Sequence, residues 1–250
     1  MFETHSQKQE FNTHQTFSAD TISDRLRVNF VRKVFGITSV QLAFTTLFTY
    51  LSLNYFNFRR FGEKHLGLLA LSGLTSLVCA LLLGFSNTLS KKVPINYALL
   101  GLFTLGESYL IAFISSQYDP QLVLMALFLT ASVVTGLSLY ALKSKTEVTY
   151  IGGLIVLIAV GLMVSGIFSW FVRLKILDSL IFFASCVLSG LYLIYDIKVI
   201  MGKEGIKLSL DDYIRGAMHL YVDIIRIFIK ILEFLANNAE KKENERKKRN

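Results

Sequence analysis

Cysteine and proline are nearly absent from this chain, with two of each in 250 residues. Cys79 and Cys186 both lie inside apolar runs, where a thiol behaves as a small hydrophobe, and neither belongs to a disulfide or metal-ligand pattern. Pro94 and Pro120 fall between apolar runs, so the runs themselves are free of helix breakers. Charge is sparse as well: Asp, Glu, Lys and Arg make up 18% of the chain, against about 25% in soluble domains. Residues 1–25 lack the short apolar core of a cleaved signal peptide and read as a flexible polar tail. No N-glycosylation sequon reports sidedness. No nucleophile–base pair, phosphate-binding loop or metal-ligand set is recognisable, so an enzyme or a bound cofactor is not expected.

What fills the chain is apolar sequence in blocks, with a mean hydropathy of +0.50. That pattern predicts an all-α, polytopic membrane protein. Six blocks are long enough to span a bilayer, at about residues 34–56, 66–86, 96–116, 121–142, 151–172 and 176–201. A seventh helix of different character is expected at about 210–235, with Ser209 as its cap and Asp212 closing a capping box. The membrane domain then covers 26–236, and the basic segment 237–250 reads as a solvated, frayed tail. Small residues recur at spacing four (Ser132 with Gly136, Gly161 with Ser165, Ser185 with Ser189) and read as helix packing.

The net charge of +8 raises nucleic acid as a partner, but in a chain this hydrophobic it sets topology and favours anionic lipid. One set of span ends carries Arg25, Arg27, Arg32, Lys33, Lys91, Lys92, Lys143, Lys145, Lys203 and Lys207. The opposite set carries Arg59, Arg60, Lys64, Arg173 and Lys175. The excess places the N-terminus in the cytosol. The basic C-terminal tail also favours the cytosol, which seven full crossings would deny it, so the crossing of the last helix stays open.

That last helix reads "GAMHLYVDIIRIFIKILEFL". At 100° per residue from Arg215, the side chains of His219, Asp223, Arg226, Lys230 and Glu233 all fall with it inside an arc of roughly 80°. Such a helix lies flat on the membrane surface or lines a cavity inside a bundle. Lipid on the polar face is excluded, because each charge at the bilayer centre costs at least about 2.5 kcal/mol. The preceding span, "SCVLSGLYLIYDIKVIMG", carries Asp196. A bland reading makes it an interfacial carboxylate paired with Lys198. The functional reading sets it against Asp223 across a short hairpin. Two carboxylates that meet share a proton and form a proton-sensitive latch. When ionised they offer the hard oxygens that calcium prefers.

At these residues the chain resembles the transmembrane BAX inhibitor motif family, in its Lifeguard branch. The resemblance rests on "VRKVFGITSVQLAFTT", "NYALLGLFTLGESYLIAFISS", "SGLYLIYDIKVIMG" and "LSLDDYIRGAMHLYVDIIRIFIKIL", and covers about residues 24–236. It implies seven helices with the last wrapped by the other six, and so a buried polar face. It further implies a pH-dependent calcium leak across an intracellular membrane (endoplasmic reticulum or Golgi) and suppression of cell death, with cell-death regulatory proteins as partners. The family's paired aspartates correspond to Asp196 and Asp223. A basic residue that latches the pair in bacterial relatives corresponds to Lys91 or Lys92. Two departures stand out. An acidic residue of the second span is missing, and Glu107 in the third span either replaces it or makes an interhelical contact with a serine or tyrosine. A neutral polar position three after the second aspartate is Arg226, a cation that stabilises the carboxylate and competes with calcium. His219 on the same face adds a group that titrates near neutral pH or is simply hydrogen-bonded. The competing function is an interaction protein that acts through partners without conducting ions.

Overall fold

The computed structural model describes residues 3–55, 58–171, 175–202 and 208–249. Arg173, Lys203 and Lys207, which enter the charge asymmetry, lie outside the described residues. Among these residues there are nine helices and no strands: α1 (Glu3–Tyr55), α2 (Phe58–Lys64), α3 (Leu66–Phe85), α4 (Asn87–Lys91), α5 (Ile95–Ser115), α6 (Pro120–Lys143), α7 (Val148–Phe171), α8 (Lys175–Met201) and α9 (Tyr213–Arg249). Five segments are long and apolar enough to cross a bilayer: Asp24–Asn54, Leu66–Phe85, Ile95–Ser115, Pro120–Lys143 and Leu180–Met201. The chain is therefore an all-helical, multi-pass membrane protein.

Several helix ends follow from local chemistry. Asp119 caps α6 by accepting from the Gln121 N–H at 2.9 Å, and Pro120 occupies the first turn, where its missing N–H costs nothing. Ser86 serves two helices: its N–H donates to Leu82 at the end of α3, and its hydroxyl accepts from Leu89 at the start of α4. Four boundaries differ by three residues or more from the sequence reading, one of them the start of α7 at Val148 in place of 151. Helix α1 begins at Glu3 and takes in the stretch expected as a flexible tail. Helix α9 runs on to Arg249 through the segment expected to fray. Its start is Tyr213, three residues later than expected, because residues 209–212 form a turn in which the Asp212 N–H donates to Ser209. Asp212 is thus the residue before the helix, with its carbonyl accepting from Gly216, rather than the closing member of a capping box.

Packing is led by α3 on α5, α1 on α5 and α7 on α8, while α9 touches α1, α3, α4, α5, α6 and α8. The faces of α9 explain this. On the same angular scale, Tyr221, Ile225, Phe228 and Leu232 form one stripe, which joins Cys79, Leu83, Leu100 and Phe103. Ala217, Leu220 and Ile227 form a neighbouring stripe, which joins Val34, Leu193 and Ile197. The third face is the polar one. Close approach of backbones falls at Gly106, where a Cβ would stand 2.8 Å from the Ser72 carbonyl on α3, whereas a Cβ on Gly136 or Gly161 would meet nothing within 4 Å. The outer surface shows Leu71, Leu77, Phe128, Leu157 and Phe183 exposed, a covering suited to lipid tails and not to water.

The α8–α9 hairpin is tied at its turn end. Arg27 of α1 donates to the carbonyls of Val199 at 2.7 Å and Leu208 at 2.6 Å. Gly202, at φ +65°, ends α8 beneath that guanidinium, in a conformation that favours glycine. Lys198 donates to the Ser144 and Thr146 carbonyls at 2.8 and 2.7 Å, satisfying groups just past the end of α6.

Candidate functional site

Asp196 on α8 and Asp223 on α9 line one cavity of about 740 Å³, together with Tyr192, Tyr195, His219 and Arg226. Ala80 of α3 and Gly152 of α7 complete its walls. The hairpin brings the aspartates together because α8 and α9 run antiparallel from the clamp at Arg27. Asp223 is 2% exposed, and its Oδ2 has no hydrogen-bond partner within the protein. A buried carboxylate oxygen without a partner is costly, so this atom is poised for a proton or a cation.

Each aspartate has a second neighbour. His219 Nδ1 lies 3.7 Å from Asp196 Oδ2, and Arg226 Nη1 lies 3.7 Å from Asp223 Oδ1. Both separations exceed a hydrogen bond, and the His219 and Arg226 side chains are about half exposed. Arg226 also stands over the Tyr192 ring, 5.8 Å from its centroid. The polar face of α9 is therefore split: Asp223 points inward, while His219 and Arg226 rim the opening. Arg226 flanks Asp223 within the cavity that Asp196 also lines.

Glu107 on α5 lies against Ser76 of α3 and within the field of Arg226. Gly106, next to it, permits the close approach of α5 to α3. Lys91 and Lys92 are not brought to the aspartates. Lys91 Nζ pairs with Asp212 at 3.7 Å, and Arg215 reaches the same carboxylate at 3.6 Å. Asp212 precedes Asp223 by 11 residues, about 16 Å of helix rise. Lys92 is exposed and ends α4, its N–H donating to Thr88. The physical reason is the turn at Ser86, which carries both lysines to the end of the bundle beside the first turn of α9.

Two features escape a sequence reading. Tyr192 precedes Asp196 by one helical turn and so shares its face, which is the signal that could have found it. The other is a buried polar layer beside the cavity. Thr45 Oγ1 contacts Ser108 Oγ at 2.8 Å and Tyr221 Oη at 2.9 Å, and Gln41 donates to Thr104 at 2.8 Å. On α1 the buried polar residues Thr38, Gln41, Thr45, Thr49 and Ser52 recur every three or four positions, a stripe that hydropathy averages away.

Among the described residues no three His, Cys, Asp or Glu side chains cluster as a ligand set. Two carboxylates supply at most about four of the six to eight oxygens that calcium takes.

These helices and this pair define a class: a multi-pass helical membrane protein with an acid pair set between two of its helices. Residues 27–240 match the family model described as inhibitor of apoptosis-promoting Bax1. The chain belongs to the BAX inhibitor motif family. It is 34% identical to protein lifeguard 4 of Mus musculus over 215 residues, which is 85% of this chain and 87% of that one. It is 32% identical to the Golgi anti-apoptotic protein of vaccinia virus (strain Lister) over 228 residues, 90% and 92% of the two chains. Protein lifeguard 3 of Homo sapiens is 28% identical over 221 residues, 85% of this chain and 70% of that one.

Proposed function

We propose that this protein is a pH-sensitive calcium leak of the endoplasmic reticulum or Golgi membrane that restrains cell death. In this reading the bundle has seven membrane helices with α9 enclosed by the others and the N-terminus in the cytosol. The observation that carries it is the placing of Asp196 and Asp223 in one cavity between α8 and α9. A proton held between the carboxyls removes one of the pair's two negative charges and weakens the pull on calcium. Loss of that proton exposes hard oxygens to the cavity. His219 Nδ1, 3.7 Å from Asp196 Oδ2, sets an imidazole beside the pair. The named relatives support the cell-death part: one is called a Golgi anti-apoptotic protein, and the family is described by inhibition of Bax1. No covalent chemistry and no resident cofactor enter the scheme; the ligands are calcium, protons and membrane lipids.

The test is calcium flux in liposomes with purified wild-type protein, Asp196→Asn and Asp223→Asn, each at neutral and at mildly acidic pH. Both variants are expected to change the flux and flatten its pH response. If both leave flux and pH response untouched, the acid pair has no part in conduction. One observation favours a second reading: Arg226 stands beside Asp223 and competes with any cation there. On that reading the protein acts by binding cell-death regulatory proteins and the polar cavity is structural. It predicts no flux from the purified wild type, and cell protection that survives both substitutions.

A further inference from the structure

A second large cavity, of about 940 Å³, lies between α6, α8 and α9, away from the acid pair. Its lining is graded along α9. The walls are apolar, with Ile194 buried on α8, Leu137 half-buried on α6 and Val133 exposed on α6. The rim is polar and comes from α9: Lys230, Glu233, Asn237, Asn238 and Lys241. At 1.5 Å per residue, Lys230 stands about 26 Å along α9 from Tyr213 and Lys241 about 42 Å. A hydrocarbon core is about 30 Å thick. On the proposed reading in which α9 crosses the bilayer from Tyr213, on which this site rests, the rim falls between the far edge of the hydrocarbon and the headgroup layer.

We propose that this groove holds a phospholipid with an anionic headgroup, its acyl chains against the Val133, Leu137 and Ile194 walls and its phosphate between Lys230 and Lys241. The charge pattern selects the occupant. Lys230 Nζ sits over the Phe182 ring, 5.2 Å from its centroid, and 3.3 Å from Glu233 Oε2. That pair leaves Lys241 as the unbalanced cation of the rim, with the side-chain amides of Asn237 and Asn238 as further donors. A net positive rim of ammonium and amide donors above an apolar trough matches a phosphate ester carrying two hydrocarbon chains. A transmembrane helix of a partner would fill the trough but leave the rim unanswered. The site stands independently of calcium conduction.

The test is native mass spectrometry of the purified full chain in detergent with equimolar phosphatidylserine and phosphatidylcholine. Wild type is expected to retain phosphatidylserine preferentially. Each lysine near a membrane surface contributes about a fivefold preference for anionic lipid. Lys241→Gln, at an exposed position, is expected to lower the preference about fivefold with the melting temperature unchanged. Glu233→Gln is expected to raise it. Val187→Trp, which fills the groove wall, is expected to reduce retention of both lipids. Equal retention of the two lipids by wild type overturns the proposal. So does a preference that survives Lys230→Gln combined with Lys241→Gln, or a stable dimer of the wild type in which the groove takes up no lipid.

Discussion

Replacing Arg226 with glutamine removes the cation that stands 3.7 Å from the Asp223 carboxylate. Two unit charges at that distance attract by about 4 kcal/mol at an effective dielectric of about 20. The Arg226 side chain is 54% exposed, however, and screening brings such a pair down to about 0.2–1 kcal/mol. A divalent ion on the same carboxylate is repelled by Arg226 with twice that strength. Removing the arginine thus stabilises bound calcium by about 0.4–2 kcal/mol, a factor of about 2 to 30 in occupancy. The assay is dye-reported calcium entry into liposomes at equal protein incorporation and neutral pH. Arg226→Gln is expected to raise the flux within that range while occupancy limits it. Arg226→Lys keeps the charge and loses the guanidinium above the Tyr192 ring, so its flux is expected to stay near wild type. A flux that is unchanged or lower in Arg226→Gln refutes the idea that this residue competes with calcium at Asp223.

Three further outcomes follow from the packing. Gly106→Ala forces a methyl to 2.8 Å from the Ser72 carbonyl and is expected to cost about 1–3 kcal/mol, seen as a lower melting temperature in detergent, while Gly136→Ala, with open space around it, leaves the melt unchanged. Tyr221→Phe removes one hydroxyl from a fully buried residue but leaves Thr45 bonded to Ser108 and to the Gln41 carbonyl, so a loss of only about 1 kcal/mol is expected; a loss of several kcal/mol in the same melt would contradict that redundancy. Arg27→Met deletes two charge-assisted hydrogen bonds across the α8–α9 hairpin and is expected to speed hydrogen exchange at the Gly202 and Leu208 amides, with exchange at Asp223 less affected.

The sequence was most legible where hydropathy and caps agree. The predicted 66–86, 96–116 and 121–142 fall within a residue of α3, α5 and α6, because Ser86 and the Asp119–Pro120 pair punctuate the chain there. Hydropathy measures the thickness of hydrocarbon, not the length of a helix, so it stopped short of α1 and α9, which continue as polar helix beyond the apolar stretch. The short helices α2 and α4 carry no periodic signal of their own, and the fate of Lys91 depended on the turn between α3 and α4. Asp196, Asp223, His219 and Arg226 were found because charge in an apolar run is conspicuous. Thr45, Ser108 and Tyr221 were not, because hydroxyls in a membrane helix look like filler until a partner 176 residues away in sequence is seen beside them.

That separation also sets an order of assembly. The hydroxyl of Thr45 on α1 waits for Tyr221, and the Arg27 guanidinium waits for the carbonyl of Leu208, 181 residues downstream. At synthesis rates of about 5–20 residues per second, the wait for Tyr221 is roughly 9–35 s. Throughout that interval the earlier helices must sit in the bilayer with their polar groups turned toward a place that α9 has not yet taken. A nascent chain of this protein is thus a recognisable unfinished state, and one that ends before Tyr213 stays in it.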